Sequence, residues 1–171
     1  MCNFSAHQDH AFENLRFVEL LNSDLPNELR WEMTSTYYCA VQLLNAFVAD
    51  KANAHPETHN KLKEITHPIG MWANIRLDSN TYNFYGKLEM LSRKARYTSS
   101  FNIKEKHFFE AIECLDKVMV FYKAIYLATP FRKITLYCDD DQFTTKVFTN
   151  FEVEKRPEQE EVASGVQLAK E

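Results

Sequence analysis

Two arginines and a tyrosine close the stretch SRKARY at residues 92–97. On a helix Arg93 stands four positions from Tyr97 and three from Arg96, so the three side chains can share one face. Such a face suits an anion: guanidinium groups fork onto phosphate oxygens, and a tyrosine ring stacks on a base or anchors the arginines. The same residues also fit a structural role, with Arg93 or Arg96 paired to a carboxylate and Tyr97 packed at a helix end, where cations are common on dipole grounds. A second polar group lies in HPETH, residues 55–59. His55 and His59 have the helical spacing of two ligands to one metal. Pro56, however, sets His55 at or before a helix start, and neither an HExxH motif nor a nearby cysteine completes a site. These histidines read as capping or surface-fixing groups, or as part of a non-metal polar site; no metal and no cofactor is expected.

Other chemistries find little support. Gly70, Gly86 and Gly165 match neither the phosphate-loop nor the dinucleotide spacing, and no nucleophile elbow is present. Cys39, in YYCAVQLL, sits among core-forming residues where a thiol is inert, and Asp139 and Asp140 belong to a charged run that reads as a solvated turn. Cys2, Cys39, Cys114 and Cys138 form no CxxC pair and are expected to stay reduced. The net charge of -4, from 20 basic and 24 acidic residues, gives no global attraction to nucleic acid, so RNA binding would need a local patch. No DNA-binding motif is visible. MCNFSAHQDH lacks a basic region followed by an apolar run, and no apolar segment approaches the roughly 20 residues that span a bilayer. A cytoplasmic protein without membrane association is expected.

The elements that must position these groups are mostly helices. With 13 Phe and 8 Tyr but 3 Gly and 5 Pro, the chain is rich in core formers and poor in breakers. Phe12, Leu15, Val18 and Leu21 predict a helix over about 8–21. Asp24 as a cap and Pro26 in the first turn introduce a central helix whose stripe includes Trp31, Tyr37, Val41, Leu44 and Val48, widened by Tyr38. Pro56 at the first helical position begins a short helix that HPIG at 67–70 ends; MWANIRLDSN is either a short helix or a packed loop. A helix from Thr81 carries Tyr85, Leu88, Ser92 and Ala95. The next, with Asn102 and Glu105 as a capping box, carries Phe108, Ala111, Leu115, Val118, Tyr122 and Ile125. Beyond Pro130, KITLY and FTTKVFTNF read as two strands around an acidic turn. Two strands alone are marginal in water, so they should dock. The expected fold class is all-α, an up-and-down bundle of four to five helices over residues 1–130, with a small C-terminal β-hairpin-like appendage at 131–153 and an acidic, disordered tail at 154–171.

The order TSTYYCAVQLLNAFVADK, HPETHNKL, a tyrosine-rich helix and LSRKARY resembles the HEPN helical domains, over about residues 8–128. That resemblance implies a helical bundle, a homodimer with sites along its groove, and a polar site formed from Tyr37, Tyr38, His55, His59, Arg93, Arg96 and Tyr97. Many HEPN proteins are metal-independent ribonucleases with a closely spaced arginine and histidine. Here Arg96 precedes His107 by eleven positions, which departs from that pattern. The expectation is therefore a non-catalytic interaction protein that binds a protein or RNA partner in a toxin-antitoxin, defence or RNA-associated setting. The alternatives are a ribonuclease in which His59 takes a ribose proton and Arg96 stabilises the phosphorane, and a structural adaptor.

Overall fold

The computed structural model describes residues 3–25, 28–127 and 131–157. Asn3 opens the first helix, α1 (Phe4–Asp24), by accepting the Ala6 amide on its side chain at 3.1 Å. The helix thus starts earlier than its apolar repeat indicates, because a cap and not a core residue defines the end. Asp24 is the last residue of α1, where it accepts the Ser23 hydroxyl; it does not cap the next helix, and Pro26 lies outside the described residues. The second helix, α2 (Leu29–Ala52), is buried along most of its length, as a central helix must be, but Trp31 is 59% exposed and leaves the expected stripe.

Thr58, whose hydroxyl accepts the Lys61 amide at 3.1 Å, starts α3 (His59–Ile65). Pro56 therefore precedes the cap and does not occupy the first helical turn. MWANIRLDSN resolves into one 3-10 turn, Ala73–Ile75, followed by Asp78, which caps α4 (Ser79–Tyr97) through the Thr81 amide at 2.9 Å and hydroxyl at 2.6 Å. For α5 (Glu105–Ile125) the expected capping box is replaced: His107 Nδ1 accepts the Lys104 amide at 3.0 Å, and Glu105 is engaged elsewhere.

Helix directions follow from the pairs that meet. His7 meets Gln42 while Asn22 lies beside Glu32, so α1 and α2 are antiparallel. Asn74 reaches the Lys51 carbonyl and Arg30 donates to that of Ala95, so α4 runs back along α2. Lys87 pairs with Glu110 at 2.6 Å across α4 and α5, and Tyr126 at the far end donates to Asp50 at 2.8 Å. The four long helices form an up-and-down bundle, with α3 in the connection from α2 to α4. Its interior holds Tyr37, Tyr85, Tyr122, Phe108, Phe109, Leu43 and Leu44. Each such side chain contributes about 1.5–3 kcal/mol by leaving water.

The C-terminal appendage has two short strands, β1 (Ile134–Cys138) and β2 (Phe151–Lys155), in register from Ile134 beside Phe151 to Cys138 beside Lys155. They run parallel, which corrects the strand direction a hairpin would give. A tight turn cannot join parallel strands, and residues 139–150 make the crossover instead. FTTKVFTNF is therefore mostly crossover: Phe143 stacks on Phe109 at 4.6 Å, Phe148 is buried, and the strand begins only at Phe151. β2 continues to Lys155, past the expected boundary at 153; within the tail, residues 158–171 lie outside the described residues.

Polar groups weld this unit to the bundle. Buried Asp116 accepts the amides of Thr149 (3.1 Å) and Asn150 (2.8 Å) and the Asn150 side chain (2.9 Å). Glu105 accepts the amides of Asp139 (2.7 Å) and Asp140 (3.1 Å). Asn22 exchanges two hydrogen bonds with the Tyr137 backbone, and Arg156 donates to the Asn22 carbonyl at 2.8 Å and to Asp139 at 2.9 Å. Ile134, Leu136, Phe143 and Phe151 join the same hydrophobic core as the helices.

Candidate functional site

The antiparallel course of α2 and α4 brings the start of one helix to the end of the other. Adjacent residues on α2 point about 100° apart, since the helix turns once in 3.6 residues. Tyr37 consequently enters the core, where its ring stacks on Tyr85 at 5.9 Å, while Tyr38 stands half-buried at the rim. The last turns of α4 place Arg93, Arg96 and Tyr97 opposite, and the first residue of α3 adds His59. These six side chains line one cavity of about 390 Å³.

Arg96 is the best-held member. Its Nη1 donates to the Tyr38 hydroxyl at 3.1 Å, and its guanidinium carbon lies 5.7, 5.5 and 5.0 Å from the ring centres of Tyr37, Tyr38 and Tyr97. Cation–π attraction of about 0.5–1 kcal/mol at each ring fixes the head group without neutralising it. Among the described residues neither Arg93 nor Arg96 makes an ion pair. The nearby carboxylate, Glu89, is largely buried and is taken by Lys63 at 2.8 Å. Tyr97 does not pack: it is 75% exposed.

His59 meets the rings of Tyr37 at 5.4 Å and Tyr38 at 5.8 Å. Burial and then the charge of Arg96 lower its pKa, with Glu89 opposing, so the imidazole is neutral at pH 7. Burial pushes the Tyr37 phenol up to about 12, which rules out a phenolate at ordinary pH. The cavity therefore offers guanidinium donors, a neutral imidazole and an exposed aromatic face. A further hollow of about 510 Å³ continues past Arg93 and Tyr97 to Lys63 and Lys94.

His55 falls outside this group. The chain at 55–58 is not helical, so the four-residue spacing does not align the two histidines; His55 instead contacts His7, with ring nitrogens 3.1 Å apart. Among the described residues no group of three or more His, Cys, Asp or Glu could hold a metal. Cys39, Cys114 and Cys138 are free and buried, and burial raises all three thiol pKa values; Cys2 lies outside the described residues. No helix among the described residues is long and apolar enough to cross a membrane. Sequence reasoning missed Glu89 and His7. Glu89 is four residues before Arg93, a spacing that could have placed it on the same face, whereas nothing in the sequence marks His7.

Comparison with known proteins gives no match: no family model, no curated protein and no solved structure is similar to this chain.

Proposed function

We propose that the protein binds single-stranded RNA without cleaving it, taking a backbone phosphate at Arg93 and Arg96 and stacking a base on Tyr97. The observation that carries this reading is a pair of arginines with no carboxylate partner, one held by tyrosines at the wall of a polar cavity. In a chain of net charge -4, such a local arrangement supplies what global electrostatics does not. The hollow toward Lys94 extends the track, with Lys63 there paired to Glu89, and a basic groove with aromatic faces is the usual design for single strands. HEPN membership is part of the proposal and rests on the order of the sequence features and the helical bundle.

The test is fluorescence anisotropy of a short labelled RNA in EDTA. The Arg93→Ala/Arg96→Ala variant should bind at least about tenfold more weakly, and its salt dependence should flatten by about 0.7 in log–log slope, for one phosphate no longer neutralised. Unchanged binding by the folded variant would refute the reading. A second reading, metal-independent cleavage, is favoured by one observation, the neutral His59 sharing a cavity with Arg96. Shortened RNA with the wild type in EDTA and intact RNA with His59→Ala would replace binding by catalysis.

A further inference from the structure

The connection from α4 to α5 carries a second aromatic ring among cations. Lys94, in the last turn of α4, lines the hollow of about 510 Å³ together with Arg93 and Tyr97, and its Nζ lies 5.9 Å from the ring centre of Phe101. A tight turn, in which the Phe101 amide donates to the Thr98 carbonyl at 3.0 Å, brings this half-buried ring back toward the helix. Arg30 donates to the carbonyls of Ala95 and Phe101 and so ties the connection to α2. On the α5 side the His107 ring meets Phe101 at 4.9 Å, and its Nδ1 accepts the Lys104 amide at 3.0 Å, which fixes the imidazole. The ring of Phe101 is thus held from three directions.

Positive charge gathers around it. Burial lowers the His107 pKa, and the charges of Lys106, Lys104 and Lys94 lower it further against Glu110, so three ammonium groups surround one place on the surface. Among the described residues no carboxylate pairs with any of the three. Glu110 is taken by Lys87 at 2.6 Å, and Glu105 accepts the amides of Asp139 and Asp140. All three lysines are exposed. Like charges brought together without an internal acid suit an external polyanion. A separate hollow of about 410 Å³ beside Phe101 contains Glu28 and no lysine, and its Arg30 is engaged by carbonyls, so the lysine side is the one suited to phosphate.

We infer that Phe101, with Lys94, Lys104 and Lys106 around it, is a second base-stacking and phosphate site for the strand bound at Arg93, Arg96 and Tyr97. It rests on the RNA reading of that first site and adds the course and length of the ligand. Lys94 joins the two, lining the first hollow and covering the second ring. On binding, its ammonium passes from the ring to a phosphate and a base takes its place on Phe101, an exchange open to a flexible, exposed lysine. The four residues from Tyr97 to Phe101 reach at most about 14 Å when fully extended. Stacked nucleotides of one strand rise about 3.4 Å each, so bases on the two rings are at most about four steps apart. The ligand is then an unpaired segment of up to about five nucleotides between the rings, since bases inside a duplex are not free to stack on side chains.

Calorimetric titration at low salt with a uridine dinucleotide and a uridine hexanucleotide tests it, because only the longer ligand can occupy both rings. Phe101→Ala should bind the hexanucleotide about tenfold more weakly, the worth of one stacked base, and change dinucleotide affinity by no more than about twofold. Lys104→Ala/Lys106→Ala, at two exposed positions, serves should Phe101→Ala not fold. It too should weaken the hexanucleotide alone and flatten its log–log salt slope by about 0.7 for each phosphate released. Hexanucleotide affinity unchanged in a folded variant, or an equal loss for both ligands, overturns the second site; if Arg93→Ala/Arg96→Ala still weakens binding, the first site stands. Hexanucleotide binding insensitive to Arg93→Ala/Arg96→Ala overturns the first site and the bridge with it.

Discussion

Two polar regions of this molecule use similar residues to opposite ends. At the seam between bundle and strands, Asp116, Glu105 and Arg156 are matched to backbone amides, carbonyls and a carboxylate within the chain. In the cavity at the end of α4, Arg93 and Arg96 make no ion pair, because Glu89, the carboxylate that lines it with them, is already paired with Lys63. Charges whose partners are internal hold parts together; charges held in place but left unpaired are available to something else. Glu32 belongs to the seam and breaks its pattern, being fully buried with neither carboxylate oxygen partnered.

The largest expected effect tests the seam directly. Asp116→Ala strands three donors, two of them backbone amides, and should cost about 3 kcal/mol in urea unfolding. A loss under about 1 kcal/mol would mean that the crossover is not held by this carboxylate. Next comes Glu32, whose pKa burial raises to about 8 against the opposing pull of Asn22 and Arg156. The folded state then keeps a proton that the unfolded chain releases near 4.5, so stability is full at low pH and declines as pH rises from about 4.5 through about 8. Glu32→Gln should match the wild type near the lower end of that range and already exceed it by roughly 2 kcal/mol near pH 6, as read from melting temperature against pH.

Smaller effects sharpen the other side of the comparison. Arg96→Ala removes contacts with three rings and one hydroxyl and should destabilise by about 1.5 kcal/mol, although RNA binding depends on it. A loss as large as that of Asp116→Ala would make Arg96 a structural residue. Smallest is Gly86→Ala on α4: an added Cβ meets nothing within 4 Å, and the helix should gain about 0.5 kcal/mol. If the same change weakens RNA binding, the ligand follows α4 as far as Gly86, in the hollow beyond Arg93.

Helix periodicity made much of this legible. The spacing of 93, 96 and 97 fixes one face of α4, Tyr37 falls on the buried stripe of α2, and the short YTSSFN connection implies that α4 and α5 run antiparallel, whereas residues 53–78 hide the course of α4 along α2 and the placing of Tyr38 at the rim. His59 was identified by type, while Pro56 explains why His55 does not join it. Strand direction was not legible, because Phe143 and Phe148 look the same in a list of residues whether they alternate along a strand or plug a crossover into α5. Nor was the lack of a hydrogen-bond partner for the buried Asn45 Oδ1, which depends on what its neighbours on other helices fail to offer.

Arg156 also sets an order of events. Its bond to the Asn22 carbonyl joins positions 134 residues apart, and the Asn22 pairing with Tyr137 spans 115. Contacts across such separations close large loops, so they form after the helix pairs have docked. During synthesis from the N-terminus, the end of α1 remains uncovered until β2 has emerged. Pulse-labelled hydrogen exchange during refolding should therefore find the Tyr137 amide protected later than the amides in the middle of α2.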